Sequence, residues 1–137
     1  MTNSRTKGRA GEQEVARTLR DELGLDITRN WMMQAANGVI KTDLLGVEGW
    51  AIEVKRAKKW SNDWCAQSRN QATAVSWKPV LIYKLDYHSW RVRCFARDIG
   101  CAHHHFPIEM DLLDWCEVVR EEISWRELGG ADHKTVD

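Results

Sequence analysis

Glu53 and Lys55 alternate with Ile52 and Val54 in the segment Trp50-Ala51-Ile52-Glu53-Val54-Lys55. Side chains of a strand alternate faces, so an extended backbone here points the carboxylate and the ammonium the same way, one strand repeat apart. That sets a hard oxygen ligand beside a fixed positive charge. Asp43 lies across a Gly46-Val47-Glu48-Gly49 turn. Around an odd-numbered loop Asp43 comes opposite Glu53; around an even one it falls on the other face, and the sequence leaves both open. Two carboxylates in contact would suit Mg²⁺, which takes one or two of them and keeps several waters. Such an ion polarises a phosphate oxygen and acidifies water, while Lys55 orients the water or offsets charge on phosphorus. A Glu-x-Lys on a strand is also an ordinary solvated pair, so the motif needs support from elsewhere in the chain.

Glu12 supplies some. At about 100° per residue, Val15, Ala16, Leu19 and Leu23 all fall within about 60° of Glu12 on a helix, while Glu14 falls about 160° away. A carboxylate in the middle of an apolar face is costly unless it is paired, protonated or metal-bound. The competing reading is a first-turn acid that reaches water and favours the helix dipole. A second helical segment offers Trp64, Gln67, Gln71 and Val75 on one face. Its glutamines could serve a phosphate or a metal-bound water, or cap nearby backbone.

Lys55, Arg56, Lys58, Lys59 and Arg69, with Trp60 and Trp64 among them, form a basic run with aromatics interleaved. Arg5, Lys7 and Arg9 form a second basic group. Lys and Arg neutralise phosphates, and Trp can stack on an exposed base. The alternative is a solvated charged face.

The elements that must position these residues follow from periodicity and turn residues. Residues 8–23 read as a helix stopped by Gly24, and 25–33 as a loose strand. Residues 41–45 and 50–56 read as strands around the 46–49 turn. Residues 61–76 suit a helix capped by Ser61 or Asn62. Pro79 introduces a strand at 80–85, residues 89–96 alternate as its hairpin partner, and 109–122 read as a late helix. The expected architecture is an α/β (α+β) domain, a mixed sheet with helices packed on it.

The whole composition agrees with one globular domain. The chain has 137 residues, 43% hydrophobic and 29% charged, enough for a core without disulfide or metal props. A formal net charge of +0 excludes a simple basic coat for nucleic acid. Yet residues 1–80 carry 13 Lys/Arg against 9 Asp/Glu, and residues 81–137 carry 7 against 11, so the first part could face a polyanion. Cys65, Cys94, Cys101 and Cys116 show no framework spacing. No apolar stretch suits a signal peptide or a membrane span, so a cytoplasmic protein with reduced thiols is expected. Eight tryptophans are the oddity, with Trp90, Trp115 and Trp125 as candidates for a subunit interface.

Taken together, these residues resemble the PD-(D/E)xK nuclease superfamily, and within it the archaeal and phage type of Holliday junction resolvase. Lys7-Gly8-Arg9-Ala10-Gly11-Glu12 resembles the Lys-Gly-x-x-x-Glu opening. Lys41-Thr42-Asp43 stands where that family has its Asp, with Thr42 in place of the proline of the family name. Ala51-Ile52-Glu53-Val54-Lys55 matches the Glu-x-Lys strand, Trp64-Cys65-Ala66-Gln67 a Trp-x-x-Gln helix motif, and Lys78-Pro79-Val80-Leu81-Ile82-Tyr83 the following strand. The resemblance covers roughly residues 4–96. It implies a restriction-endonuclease-like αβββαβ core, followed here by a helical extension at about 97–128 and a loose tail at 129–137. It further implies Mg²⁺, with Mn²⁺ substituting, and hydrolysis of DNA phosphodiesters. By carry-over Glu12, Asp43 and Glu53 bind metal, Lys55 assists catalysis, and Gln67 ranks above Gln71 as an accessory residue. Arg5, Lys7, Arg9, Arg56, Lys58, Lys59, Trp60 and Arg69 are the candidate DNA contacts. The resolvase branch implies a homodimer in a prokaryotic or phage-infected cell.

Three other readings compete. One is a restriction-like or repair and end-processing nuclease of the same fold. Another is a non-catalytic DNA-binding module on a nuclease scaffold. The third is a zinc protein using Cys94, Cys101, His103, His104, His105 and Cys116, whose spacing matches no usual zinc pattern.

Overall fold

The computed structural model describes residues 4–30 and 41–129. Helix α1 spans Ser4–Leu23. It ends where Gly24, at φ +67°, donates its amide to the Arg20 carbonyl at 2.9 Å. Strands β1 (Thr28–Arg29), β2 (Leu44–Leu45) and β3 (Trp50–Ala57) follow, then helix α2 (Asp63–Val75) and strand β4 (Lys78–Leu85). This is the αβββαβ order that the family resemblance implies. Strand β5 (Arg91–Phe95), a 3₁₀ turn (Ala96–Ile99), strand β6 (Pro107–Asp111) and helix α3 (Leu112–Glu127) complete the chain.

The six strands form one mixed sheet in the order β1-β2-β3-β4-β5-β6. Only β3 and β4 are parallel, as their connection through α2 requires; the other pairs are antiparallel. The pleat divides the side chains between two layers. Val80 and Ile82 of β4 join Ile52, Val54, Val92 and Cys94 in the main core, under α1 (Val15, Ala16, Leu19) and α3 (Leu112, Trp115, Cys116, Val119). Leu81 and Tyr83 point the other way and pack with Trp64 of α2. Glu53 and Lys55 stand in register with Leu81 and Tyr83, so they share the α2 face.

Several boundaries differ from the sequence reading. The 25–33 strand contracts to Thr28–Arg29, and residues 31–33 lie outside the described part. The late helix does not start at 109. Residues 107–111 form β6, whose exposed and half-buried positions alternate at the sheet edge, and the helix begins at Leu112. Residues 97–128 thus hold a strand as well as a helix, and both pack into the sheet and core that carry the site.

The tryptophans sort by layer. Trp50 and Trp115 meet edge-to-face at 5.4 Å in the core, a geometry that adds about 0.5–1.5 kcal/mol beyond burial. Trp115 is fully buried and offers nothing to a partner, contrary to expectation. Trp90 is half-buried against the main core, its ring edge 3.3 Å from where a Gly11 Cβ would stand. Of the three interface candidates only Trp125 is exposed, at 53%. No described helix is long and apolar enough to cross a membrane.

Candidate active site

The register of β2 against β3 decides where Asp43 goes. Leu44 pairs with Ile52, so Asp43 takes the position opposite Glu53, the odd-loop outcome. The ladder then changes character. The Asp43 amide donates to the Ile52 carbonyl at 2.8 Å, but the Val54 amide is taken by Asp43 Oδ2 at 2.8 Å. A carboxylate oxygen replaces a backbone carbonyl, which bounds β2 at its N-terminal side and fixes the carboxyl against β3. Asn30 supports it from β1's end. Its amide donates to the Asp43 carbonyl at 2.9 Å, and its side chain donates to the Thr42 carbonyl at 2.9 Å.

Glu53 is 3% exposed and sits 3.2 Å through Oε1 from Lys55 Nζ. Its other oxygen faces Gln71 of α2. In the amide orientation that satisfies its surroundings, Gln71 donates to Glu53 Oε2 at 2.5 Å and to the Lys41 carbonyl at 3.1 Å. Gln67, ranked first in the sequence, is solvent-exposed. The reason is helical phase. The buried face of α2 is Trp64, Ser68 and Ala72, and at about 100° per residue Gln71 points within about 20° of Trp64 whereas Gln67 turns about 60° away from it.

Glu12 is half-buried on α1. Its Oε1 accepts from Arg29 Nε of β1 at 2.9 Å. Arg29 escapes a sequence reading, since a single Arg in a loosely alternating stretch carries no signal until strand pairing brings it to the helix. Glu12 is thus paired on one side, yet close enough to raise the proton affinity of both Asp43 and Glu53.

The electrostatics follow from burying Asp43 and Glu53 beside one lysine, with half-buried Glu12 close by. Burial, then the Glu53 charge, push the Asp43 carboxyl up to about 8, against the opposing pull of the Val54 amide. Burial likewise raises Glu53, with Lys55 holding it down. The site carries an excess of negative charge that a proton relieves and a divalent cation would relieve better. The Asp43 and Glu53 oxygens, hard and adjacent in register, fit Mg²⁺, which takes few protein ligands. No set of three His, Cys, Asp or Glu side chains among the described residues is gathered as a ready-made metal cage, so Glu12 would have to leave or share Arg29 to join.

The candidate DNA contacts are less uniform. Arg9, Lys58, Lys59 and Arg69 are exposed, and Arg56 is half-buried. The Arg5 side chain lies outside the described part. Lys7 is bound to Asp86 Oδ1 at 2.9 Å, which holds Asp86 below the usual carboxylate range. Trp60 is no free stacking platform. It packs on Trp64 at 5.1 Å and Tyr83 at 4.9 Å, lies under the Arg93 guanidinium at 5.0 Å, and donates to Asn62 Oδ1 at 2.9 Å. Tyr83 in turn donates to Glu109 at 2.6 Å, and burial with that bond pushes its hydroxyl up to about 12.

The zinc ligands do not assemble. Cys94 and Cys116 lie in the main core, burial pushing their thiols up to about 12 and about 11. Cys101 and His103 to His105 are exposed.

A buried acid pair facing a lysine from adjacent strands, on an αβββαβ core, defines a PD-(D/E)xK type of site. The family model described as "Phage putative PDDEXK endonuclease" matches residues 3–99, and the chain belongs to that family of nucleases. Among solved structures it is similar to Hjc of Archaeoglobus fulgidus, a Holliday junction resolvase from an archaeal hyperthermophile. The identity is 21%, with 77% of this chain and 84% of that chain covered at a TM-score of 0.47. No curated protein matches the chain.

Proposed function

We propose that this nuclease is a divalent-metal-dependent DNA endonuclease that hydrolyses phosphodiesters at the Glu12, Asp43, Glu53 and Lys55 site. We further propose that it selects branched DNA in the manner of a Holliday junction resolvase. The observation that carries the chemistry is the register placing Asp43 opposite Glu53, with Lys55 3.2 Å from the Glu53 carboxylate. Mg²⁺, with Mn²⁺ substituting, is the cofactor this donor set suits. When bound, it would supply Lewis-acid polarisation of a phosphate oxygen and a more acidic water.

The chain's own groups do the rest. Water oxygen adds to phosphorus and gives up a proton as the bond from phosphorus to one sugar oxygen breaks, and the departing sugar oxygen takes up a proton from solvent. Lys55 holds the incoming water or offsets the charge gathering on the phosphoryl oxygens. Gln71 fixes the rotamer of Glu53, and Val54 fixes that of Asp43. Arg9, Arg56, Lys58, Lys59 and Arg69 neutralise flanking phosphates, which makes affinity fall with salt. The junction preference rests on the order and spacing of the sequence motifs. It entails a homodimer, since two symmetric nicks need two sites, in the cytoplasm of a prokaryotic or phage-infected cell.

The test uses labelled four-way junctions, matched linear duplex and single strand, with Mg²⁺ or EDTA, for the parent chain and Glu53→Ala. Paired nicks in the junction, lost with EDTA and in the variant, support the reading. Metal-dependent cutting of all substrates alike moves it to a general nuclease. DNA binding with no cutting under any condition overturns it in favour of a non-catalytic module.

A further inference from the structure

Tyr87 is fully exposed and holds φ +67°. Among the described residues only one other non-glycine has a positive φ, Ser76. Ser76 serves the fold by ending α2, its amide reaching the Ala72 and Thr73 carbonyls. Tyr87 serves no such purpose. Its ring packs on nothing, and a hairpin position in the left-handed region is one that Gly or Asn fills without strain. A bulky aromatic there costs the fold twice, through backbone strain and through apolar surface left in water.

The turn that presents Tyr87 is firmly built. Asp86 donates its amide to the Ala57 carbonyl at 3.1 Å, and His88 donates to the Leu85 carbonyl at 3.1 Å. Asp86 Oδ1 also binds Lys7 Nζ of α1 at 2.9 Å. The surroundings are basic. Arg56 and Lys58 act on Asp86 along with Lys7, and Lys58, Lys59 and Arg9 are exposed. Lys55 stands beside Tyr83 in the parallel register, four residues before Tyr87. At about 3.3 Å per residue the Tyr87 backbone lies at most roughly 13 Å beyond that of the lysine along the strand. That is about four nucleotides of a stacked strand at about 3.4 Å each.

We propose that Tyr87 is a base-stacking residue for the DNA substrate, its ring seating on an unpaired or opened base within about four nucleotides of the scissile phosphate, so that it favours branched over intact duplex DNA. The inference rests on the DNA endonuclease reading above. Inside a continuous duplex both faces of every base are covered by neighbours. An aromatic ring gains stacking only where the stack is interrupted, at a branch point, an end or a single strand. The basic collar would hold the flanking phosphates while the ring probes for that interruption.

The experiment compares the parent chain with Tyr87→Phe and Tyr87→Gly. Affinity is read by anisotropy in EDTA on a four-way junction and a matched duplex, and thermal unfolding is read alongside. A 2-aminopurine scan of the junction arms locates the contact. Tyr87→Phe is expected to bind the junction within about twofold of the parent. Tyr87→Gly is expected to lose about tenfold or more on the junction, little on the duplex, and to melt no lower than the parent. It should also abolish a 2-aminopurine change near the cut. Tyr87→Gly binding the junction as the parent does, or losing equally on both DNAs, overturns the inference alone. A parent chain that binds neither DNA removes the inference and the proposed function together.

Discussion

Asp43 Oδ2 accepts the Val54 amide at 2.8 Å, so Asp43 is fixed by the backbone between Glu53 and Lys55. One strand therefore carries Glu53 and Lys55 on one face and, through its own amide, clamps Asp43 beside them. The carboxylates do not depend on a loop for their separation. In Glu53→Gln the shape stays while one buried charge is lost. Metal-dependent cleavage is expected to fall about 100-fold or more. Metal-free stability should hold or rise, because like charges no longer share the pocket. Single-turnover cleavage and unfolding in EDTA check both; a variant that unfolds more easily would give Glu53 a structural role instead.

The raised Asp43 carboxyl makes a statement about pH. An acid whose proton is held more tightly in the folded state stabilises that state while protonated. Its contribution is complete below the unfolded value of 3.8 and is lost as pH rises to the folded value of about 8. Metal-free protein is expected to lose stability across that window, and Asp43→Asn to flatten this part of the slope. Added Mg²⁺, competing with the proton, should stabilise the parent increasingly as pH rises. Urea unfolding from about pH 4 to about 9, with EDTA or Mg²⁺, reads each slope, and equal slopes for parent and Asp43→Asn would refute the assignment.

Gln71 and Gln67 lie one turn apart on α2 and are expected to behave differently. A hydrogen bond to a charged group contributes about 1.5–3 kcal/mol, so Gln71→Ala should lower cleavage about tenfold or more by freeing Glu53. Gln67→Ala should change it less than about twofold. Side-by-side single-turnover rates decide, and a reversed ranking would mean that Glu53 takes a different rotamer in the working enzyme.

The two glutamines also mark where sequence reasoning stops. Period-two alternation puts Glu53 and Lys55 on one face, and period-3.6 puts Glu12 on the apolar side of α1, because both rules act within one element. Asp43 needs a loop parity that the 46–49 turn does not declare. Gln67 and Gln71 share a face on paper, but which flank of α2 meets β3 is set by Trp64 packing on Leu81 and Tyr83, a tertiary fact. Arg29 and β6 are invisible for the same reason. Residues 107–111 have an edge strand's weak alternation, which does not stand out against the helical spacing that begins at Leu112.

Gly46 gives the last test, because it joins the fold to the site. It holds φ +127°, and an added Cβ would run into the Asp26 carbonyl oxygen and come within 2.9 Å of Ile27 Cδ1. Gly49, at φ +82°, has nothing within 4 Å of its virtual Cβ. Gly49→Ala is therefore expected to cost about 1–2 kcal/mol, the left-handed penalty alone. Gly46→Ala should cost about 2–4 kcal/mol, since strain and overpacking add. The displaced segment also leads into β1, whose Arg29 holds Glu12 and whose pairing with β2 begins at Leu44, next to Asp43. Gly46→Ala is thus expected to weaken stabilisation by Mg²⁺ as well as the fold, and Gly49→Ala to spare it. Unfolding of both variants with and without Mg²⁺ separates the effects; equal losses in the two would show that backbone conformation, not the crowding at Asp26 and Ile27, sets the cost.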